Sequence, residues 1–285
     1  MKRYWAVILL LLLGLLGCQQ EAPVTIPAGP TVTPPPLILR LGITSSAAPF
    51  ADLITAESWP HEAAARVQFI PGNTATLYDD LAQGNLDGIF VHRVPPEFDG
   101  YFTPVAVDGL VILVPPDSPV TELTMAQVRA LFSGQISNWS VLTGADMPVQ
   151  PLSRARGSGN REIFQQRVMV ELPVTINAPV PATYELLLSE LAATPGGISY
   201  GMMGAVGANR PVTIAGIAAT TATVTQQRYP LTVPLYFVSL AEPAGTPETT
   251  TAATAELRAY VAWLQSPAGQ RLISAHYGTV APIVP

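Results

Sequence analysis

Three times in this chain an apolar stretch suited to a strand runs into a turn of small polar residues and then into a helix-forming segment. The turns are Thr44–Ala48, Gly72–Thr76 and Arg154–Arg161. That repeat leaves few architectures open. Successive strands must lie side by side with helices over their faces, which is the α/β class. The spacing predicts strands at Leu37–Ile43, Val67–Ile70, Asp87–Val91, Val105–Val114, Val149–Leu152, Gly196–Gly201 and Leu231–Leu240, in a mainly parallel sheet.

The helices are read from the same pattern. Thr124–Phe132 is the clearest: Thr124 caps it, Gln127 sits where a capping box needs it, and Met125, Val128, Leu131 and Phe132 share a face. Leu77 and Leu81 mark a helix stopped by Gly84. Ile163, Phe164 and Val168 mark another, and Leu257, Tyr260, Val261 and Leu264 a third, followed by Leu272 and Ile273. The Thr-rich stretches Thr220–Thr225 and Thr249–Thr254 read as loops.

Composition narrows the function. Charged residues are 12% of the 285, about half the usual share of roughly 25%, and the net charge is −6. An acidic chain is a poor duplex nucleic-acid binder, which normally shows a basic face. One cysteine excludes an intrachain disulfide and a thiolate zinc cluster. The three histidines are scattered, so no metal site and no cofactor are expected.

Lys2 and Arg3, the uncharged run Tyr4–Leu16 and the close Leu15-Leu16-Gly17-Cys18 make a secretory signal, and the run is shorter than the ~20 residues a spanning helix needs. The box resembles that of bacterial lipoproteins. This implies cleavage after residue 17, a lipid on the Cys18 sulfur and a protein held on the extracytoplasmic face of the cell membrane. Without Lys2 and Arg3 the net charge becomes −8 and arginine is the remaining basic residue. Residues 18–36 then form a proline-rich tether, with six prolines between Pro23 and Pro36.

The three turns also point to chemistry. A helix N-terminus leaves N–H groups unpaired and carries partial positive charge; Ser and Thr add donors, and Gly permits close approach. Arg154, Arg156 and Arg161 cluster at the third turn, with no acid between Asp146 and Glu162. In an acidic protein this is a local anion site.

The segment Leu131-Phe132-Ser133-Gly134-Gln135-Ile136-Ser137-Asn138-Trp139, followed by Ser153-Arg154 and Gly157-Ser158-Gly159-Asn160, resembles the extracytoplasmic phosphate-binding proteins of ABC importers and the wider type II periplasmic-binding-protein group. Tyr229-Pro230-Leu231 and Ser266-Pro267-Ala268-Gly269-Gln270 support it. The resemblance implies a two-lobed α/β fold with the ligand in the cleft: residues 37–113 and 228–285 as one lobe, 114–227 as the other.

Carried over by motif, the ligand-binding residues are Ser45 and Ser46, Thr74, Arg154, and the turn Ser158, Gly159 and Asn160, with Asn160 where the family usually has Thr. The loop after the third strand contributes His92 and Arg93. The well-studied phosphate binders have an Asp at the position of His92, so strict phosphate selectivity is not implied. Asp108, beside Gly109, is the nearby acid that would stand in. Arg156 and Arg161 fall at the cleft rim.

The implied protein is a monomeric receptor that delivers an oxyanion, phosphate foremost, to an importer permease. Sulfate, molybdate or tungstate is the alternative within the class, and a ligand sensor or adhesion module with the same fold is the alternative outside it. An enzyme is not expected. Ser158 lacks a G-x-S-x-G setting, because Arg156 and Asn160 occupy the glycine positions, and the paired acids Asp79 and Asp80 face solvent on their helix.

Overall fold

The computed structural model describes residues 36–56, 59–60, 64–244 and 251–280. The expected leader, Cys18 and nearly all of the tether lie outside these residues. β1 (Leu37–Thr44) passes through a 3-10 turn (Ser45–Ala47) into α1 (Ala48–Thr55). β2 (Ala65–Gly72) leads into α2 (Thr74–Ala82), then β3 (Gly88–Val91) and the long β4 (Tyr101–Val114). After these come β5 (Glu122–Leu123), α3 (Met125–Ser133), α4 (Ser140–Thr143), β6 (Gln150–Pro151) and α5 (Gly159–Phe164), which is extended by a π-helical turn (Gln165–Met169). The chain continues through α6 (Tyr184–Ala192), β7 (Gly197–Met202), β8 (Arg210–Pro211), β9 (Thr213–Ile214), α7 (Thr221–Thr225), β10 (Thr232–Ser239), α8 (Ala252–Gln265) and α9 (Pro267–Ile273).

The main sheet runs β2-β1-β3-β10-β4-β7-β6, with β8 also on β4. It is mixed rather than mainly parallel. β1 pairs β2 and β3 in parallel, and β6 pairs β7 in parallel, but β10 is antiparallel to both β3 and β4, and β4 is antiparallel to β7. Apolar runs reveal strands but not their direction. β10 brings the chain back from the second half of the molecule and slots between β3 and β4 against their sense.

Two apolar cores flank this sheet. Val105 and Ala106 of β4, with Leu235 and Phe237 of β10, pack beside Leu39, Phe50, Phe90 and Leu264. Leu110–Val114 of β4, with Leu231 and Val233, pack beside Phe132, Trp139, Phe164 and Tyr200. β4 and β10 therefore pass from one core to the other, giving a two-lobed α/β fold. Each buried Phe or Leu contributes about 1.5–3 kcal/mol, so both lobes hold substantial cores.

α3 forms as its sequence predicts. Thr124 Oγ1 accepts from Gln127 N at 3.2 Å, Gln127 Oε1 accepts from Thr124 N at 2.7 Å, and Gly134 ends the helix at φ 82°. The Thr-rich loops need correcting. Thr220 and Thr223 form a capping box on α7, with Val224 buried beneath, and Thr251 caps α8 by accepting from Thr254 N. Threonine has low helix propensity but caps well, and a buried apolar side chain overrides propensity in so short a helix. Among the described residues no helix is long and apolar enough to cross a membrane.

Candidate functional site

The three turns of the sequence converge, and a fourth joins them. The 3-10 turn after β1 buries Ser46 and leads into α1, which has a proline in its first turn. Asn73 caps α2, its Oδ1 accepting from Ala75 N at 3.1 Å. Gly157 takes φ +85°, a value that favours glycine, and turns the chain into Ser158, the N-cap of α5. Thr183 caps α6, accepting from Leu186 N at 3.1 Å. These four termini surround a cavity of about 220 Å³ lined by Ser45, Ser46, Thr74, Arg154, Ser158, Gly159 and Asn160, with Thr44, Gly72, Asn73 and Ala182–Tyr184 completing much of the wall.

Hydrogen bonds stitch the wall across the two lobes. Ser46 Oγ donates to Asn160 Oδ1 at 3.1 Å, and Gly159 N donates to Thr74 Oγ1 at 3.0 Å. Ala75 N donates to the Gly157 carbonyl at 3.3 Å. Ser46, Thr74, Ser158 and Asn160 are all buried.

Arg154 is the cation in this wall. Its backbone N donates to Tyr200 Oη at 3.1 Å, and Tyr200 is stacked on Phe164 with ring centroids 3.9 Å apart. Its guanidinium lies 5.8 Å from the Tyr184 ring centroid and gives one long hydrogen bond, 3.4 Å, to the Pro181 carbonyl. Burial pulls its pKa below the ordinary arginine value, opposed by Tyr200, Glu185 and Tyr184. A partly desolvated guanidinium with most of its N–H groups uncommitted favours an anionic partner. No carboxylate is among the residues lining the cavity.

His92 and Arg93 are not brought to this wall. His92 is buried at the end of β3, with Nε2 3.2 Å from Asp108 Oδ2. The Arg93 carbonyl accepts from Tyr78 Oη at 3.1 Å. Asp108 lies at the strand crossing, 0% exposed, and its Oδ1 accepts from Gly109 N at 2.7 Å and Gly204 N at 3.3 Å. Its oxygens face the backbone and His92, and it is not among the residues lining the cavity. Arg156 is exposed, and Arg161 donates from Nη1 to Ser153 Oγ at 3.0 Å. Ala182–Tyr184 were missed in the sequence. The available signal was Thr183 as a cap ahead of Leu187 and Leu191, both buried on one face of α6.

Two lobes with a polar cleft walled by helix N-termini place the chain in a class of ligand-binding proteins. A family model described as a PBP superfamily domain matches residues 30–268, and the chain belongs to that periplasmic-binding-protein superfamily. Within it, the phosphate-binding protein PstS of Bacillus subtilis (strain 168) is 30% identical over 98 residues, or 34% of this chain. The matched segment spans about a third, 32%, of that relative's length. A crystal structure from Clostridium perfringens, described as a phosphate ABC transporter substrate-binding protein with bound phosphate, matches with a TM-score of 0.73 at 20% identity, covering 86% of this chain and all (100%) of that one. An ABC-type phosphate transport receptor from Vibrio cholerae matches with a TM-score of 0.63 at 21% identity, covering 85% and 100%. At these identities the two structures establish the fold.

Proposed function

We propose that this protein is an extracytoplasmic receptor that holds a tetrahedral oxyanion, phosphate foremost, in the cleft and delivers it to the permease of an ABC importer. One observation carries the reading: four helix N-termini, several hydroxyls and the half-buried Arg154 guanidinium meet in one cavity whose lining holds no carboxylate. Such a wall replaces an anion's hydration shell with fixed donors and involves no covalent step. The names of the relatives support phosphate over other anions.

In the same reading the leader (residues 1–17) is removed and a lipid on Cys18 holds the protein, a monomer, at the membrane. Residues 18–36 tether a body whose lobes are 37–113 with 228–285, and 114–227. Ser45, Ser46, Thr74, Arg154, Ser158, Gly159 and Asn160 contact the anion, while His92 acts on the crossing strands through Asp108. A second reading within the class, a receptor for sulfate, molybdate or tungstate, draws support from the same carboxylate-free lining. Calorimetric titration with phosphate, sulfate and molybdate tests both. Saturable heat with phosphate is expected, and absence of heat with every oxyanion would overturn the receptor reading.

A further inference from the structure

The Arg154 guanidinium is the charged group of the cavity, yet among the described residues no carboxylate forms an ion pair with it, and its hydrogen bond to the Pro181 carbonyl is long at 3.4 Å. Something else must fix its plane. The face of Tyr184 is the surface beneath it, with the guanidinium carbon 5.8 Å from the ring centroid. Tyr184 is 2% exposed, and its hydroxyl is held at two points: it donates to the Ala205 carbonyl at 2.7 Å and accepts from Met202 N at 3.3 Å. Those two backbone groups flank Gly204, whose N–H donates to Asp108 at the strand crossing. Gly201 leaves room for this arrangement, since a Cβ there would sit 2.1 Å from the Tyr184 hydroxyl.

We infer that Tyr184 is a positioning residue for the anion site: its ring carries the Arg154 guanidinium, and its doubly bonded hydroxyl fixes that ring to the end of β7. This deepens the receptor reading above and rests on it. An aromatic face attracts a guanidinium through its quadrupole, more strongly where water is excluded, and holds it flat. A planar guanidinium set in this way keeps its remaining N–H groups aligned for two-point contact with an oxyanion. Without the ring the same cation samples more rotamers and the anion must order it on binding.

The test is a double-mutant cycle read by calorimetric titration with inorganic phosphate. Tyr184→Met removes the ring at similar length and should weaken binding roughly three- to thirty-fold, the range of a cation–π contact. In an Arg154→Lys background, which keeps the charge but loses the planar fork, Tyr184→Met should cost less than a further twofold. Tyr184→Phe keeps the ring and should hold affinity within about threefold while lowering the melting temperature, because two buried backbone groups lose their partner. It also serves where Tyr184→Met does not fold: any loss it causes comes from freeing the ring beneath Arg154, so that loss should vanish in the Arg154→Lys background, and an equal loss there overturns the inference. Equal losses in both Arg154 backgrounds, or no loss in either, also overturn it and leave the receptor reading intact. Absence of phosphate, sulfate and molybdate heat with the unaltered protein overturns the receptor reading and this inference together.

Discussion

The backbone N–H of Gly159 donates to Thr74 Oγ1 at 3.0 Å, joining residues 85 positions apart in the two lobes. The contact is close enough that a Cβ on Gly159 would lie 2.8 Å from that oxygen. Glycine is required here by the neighbour rather than by backbone angle. One close approach across the cleft is therefore made where the first residue of α5 meets a threonine.

Gly159→Ala should push the turns apart and weaken phosphate binding by about 1–3 kcal/mol, the usual cost of overpacking. Thr74→Ala removes the opposing oxygen. Combined with Gly159→Ala it should recover part of the loss, as a double-mutant titration would show. If the two losses simply add, the contact does not set the cleft.

Arg154→Ala should cost about 2–5 kcal/mol of anion binding, since a desolvated anion loses its one charged partner. The melting temperature of the unliganded protein should fall only slightly, because the side chain gives one long hydrogen bond to Pro181 and one contact with the Tyr184 ring. Ser158→Ala should cost about 1–3 kcal/mol of binding. Wild-type affinity in Arg154→Ala would place the anion elsewhere.

Alkaline stability follows from the buried phenols. Tyr184, Tyr229, Tyr260 and Tyr277 are each pushed above the ordinary tyrosine pKa, first of all by burial. A raised folded-state pKa means the unfolded chain releases its protons first. The stabilisation is thus complete below the unfolded value of about 10 and is lost as pH rises above it. Phenolate absorbance for these four should appear together with loss of circular dichroism. Complete phenolate formation in a still-folded protein would contradict it.

Strands and the site's turns were legible because each has a local cause. Apolar runs mark β1, β4 and β10, and the Asn73 and Ser158 caps follow from small polar residues before helices. Strand direction was not legible, since β10 owes its antiparallel place to a return from the far lobe. His92 and Asp108 show the same limit. They lie 16 positions apart, and only the folded chain brings His92 Nε2 to within 3.2 Å of Asp108 Oδ2. Thr183 and Tyr184 were readable as a cap and a helix start, but the position of α6 beside the cavity depends on tertiary packing alone.

The lipid anchor rests on Cys18, the chain's one thiol, standing after Leu15-Leu16-Gly17. Cys18→Ser should abolish fatty-acid labelling in cells and leave the precursor uncleaved at that box. Equal label incorporation in the variant would remove the anchor from the proposal.

Selectivity is the property most open to a physical test. Phosphate near neutral pH still carries a proton that needs an acceptor, whereas sulfate has none to place. A site that enforces such a partner can discriminate by ~10⁴ or more. Here no carboxylate lines the cavity, Asn160 Oδ1 already accepts from Ser46, and Asp108 is occupied by His92 Nε2, Gly109 N and Gly204 N. Discrimination of phosphate over sulfate should therefore fall well short of that figure. Asn160→Asp puts a carboxylate into the wall; it should repel sulfate, accept the phosphate proton and raise the ratio. His92→Asp should leave the ratio unchanged and lower the melting temperature, because it sets a second carboxylate against Asp108 where an imidazole nitrogen now sits at 3.2 Å. Competition titrations at pH 5.5 and pH 8 on the three proteins decide the matter. If the unaltered protein already rejects sulfate as strongly as Asn160→Asp, an acceptor outside the observed lining serves the phosphate proton.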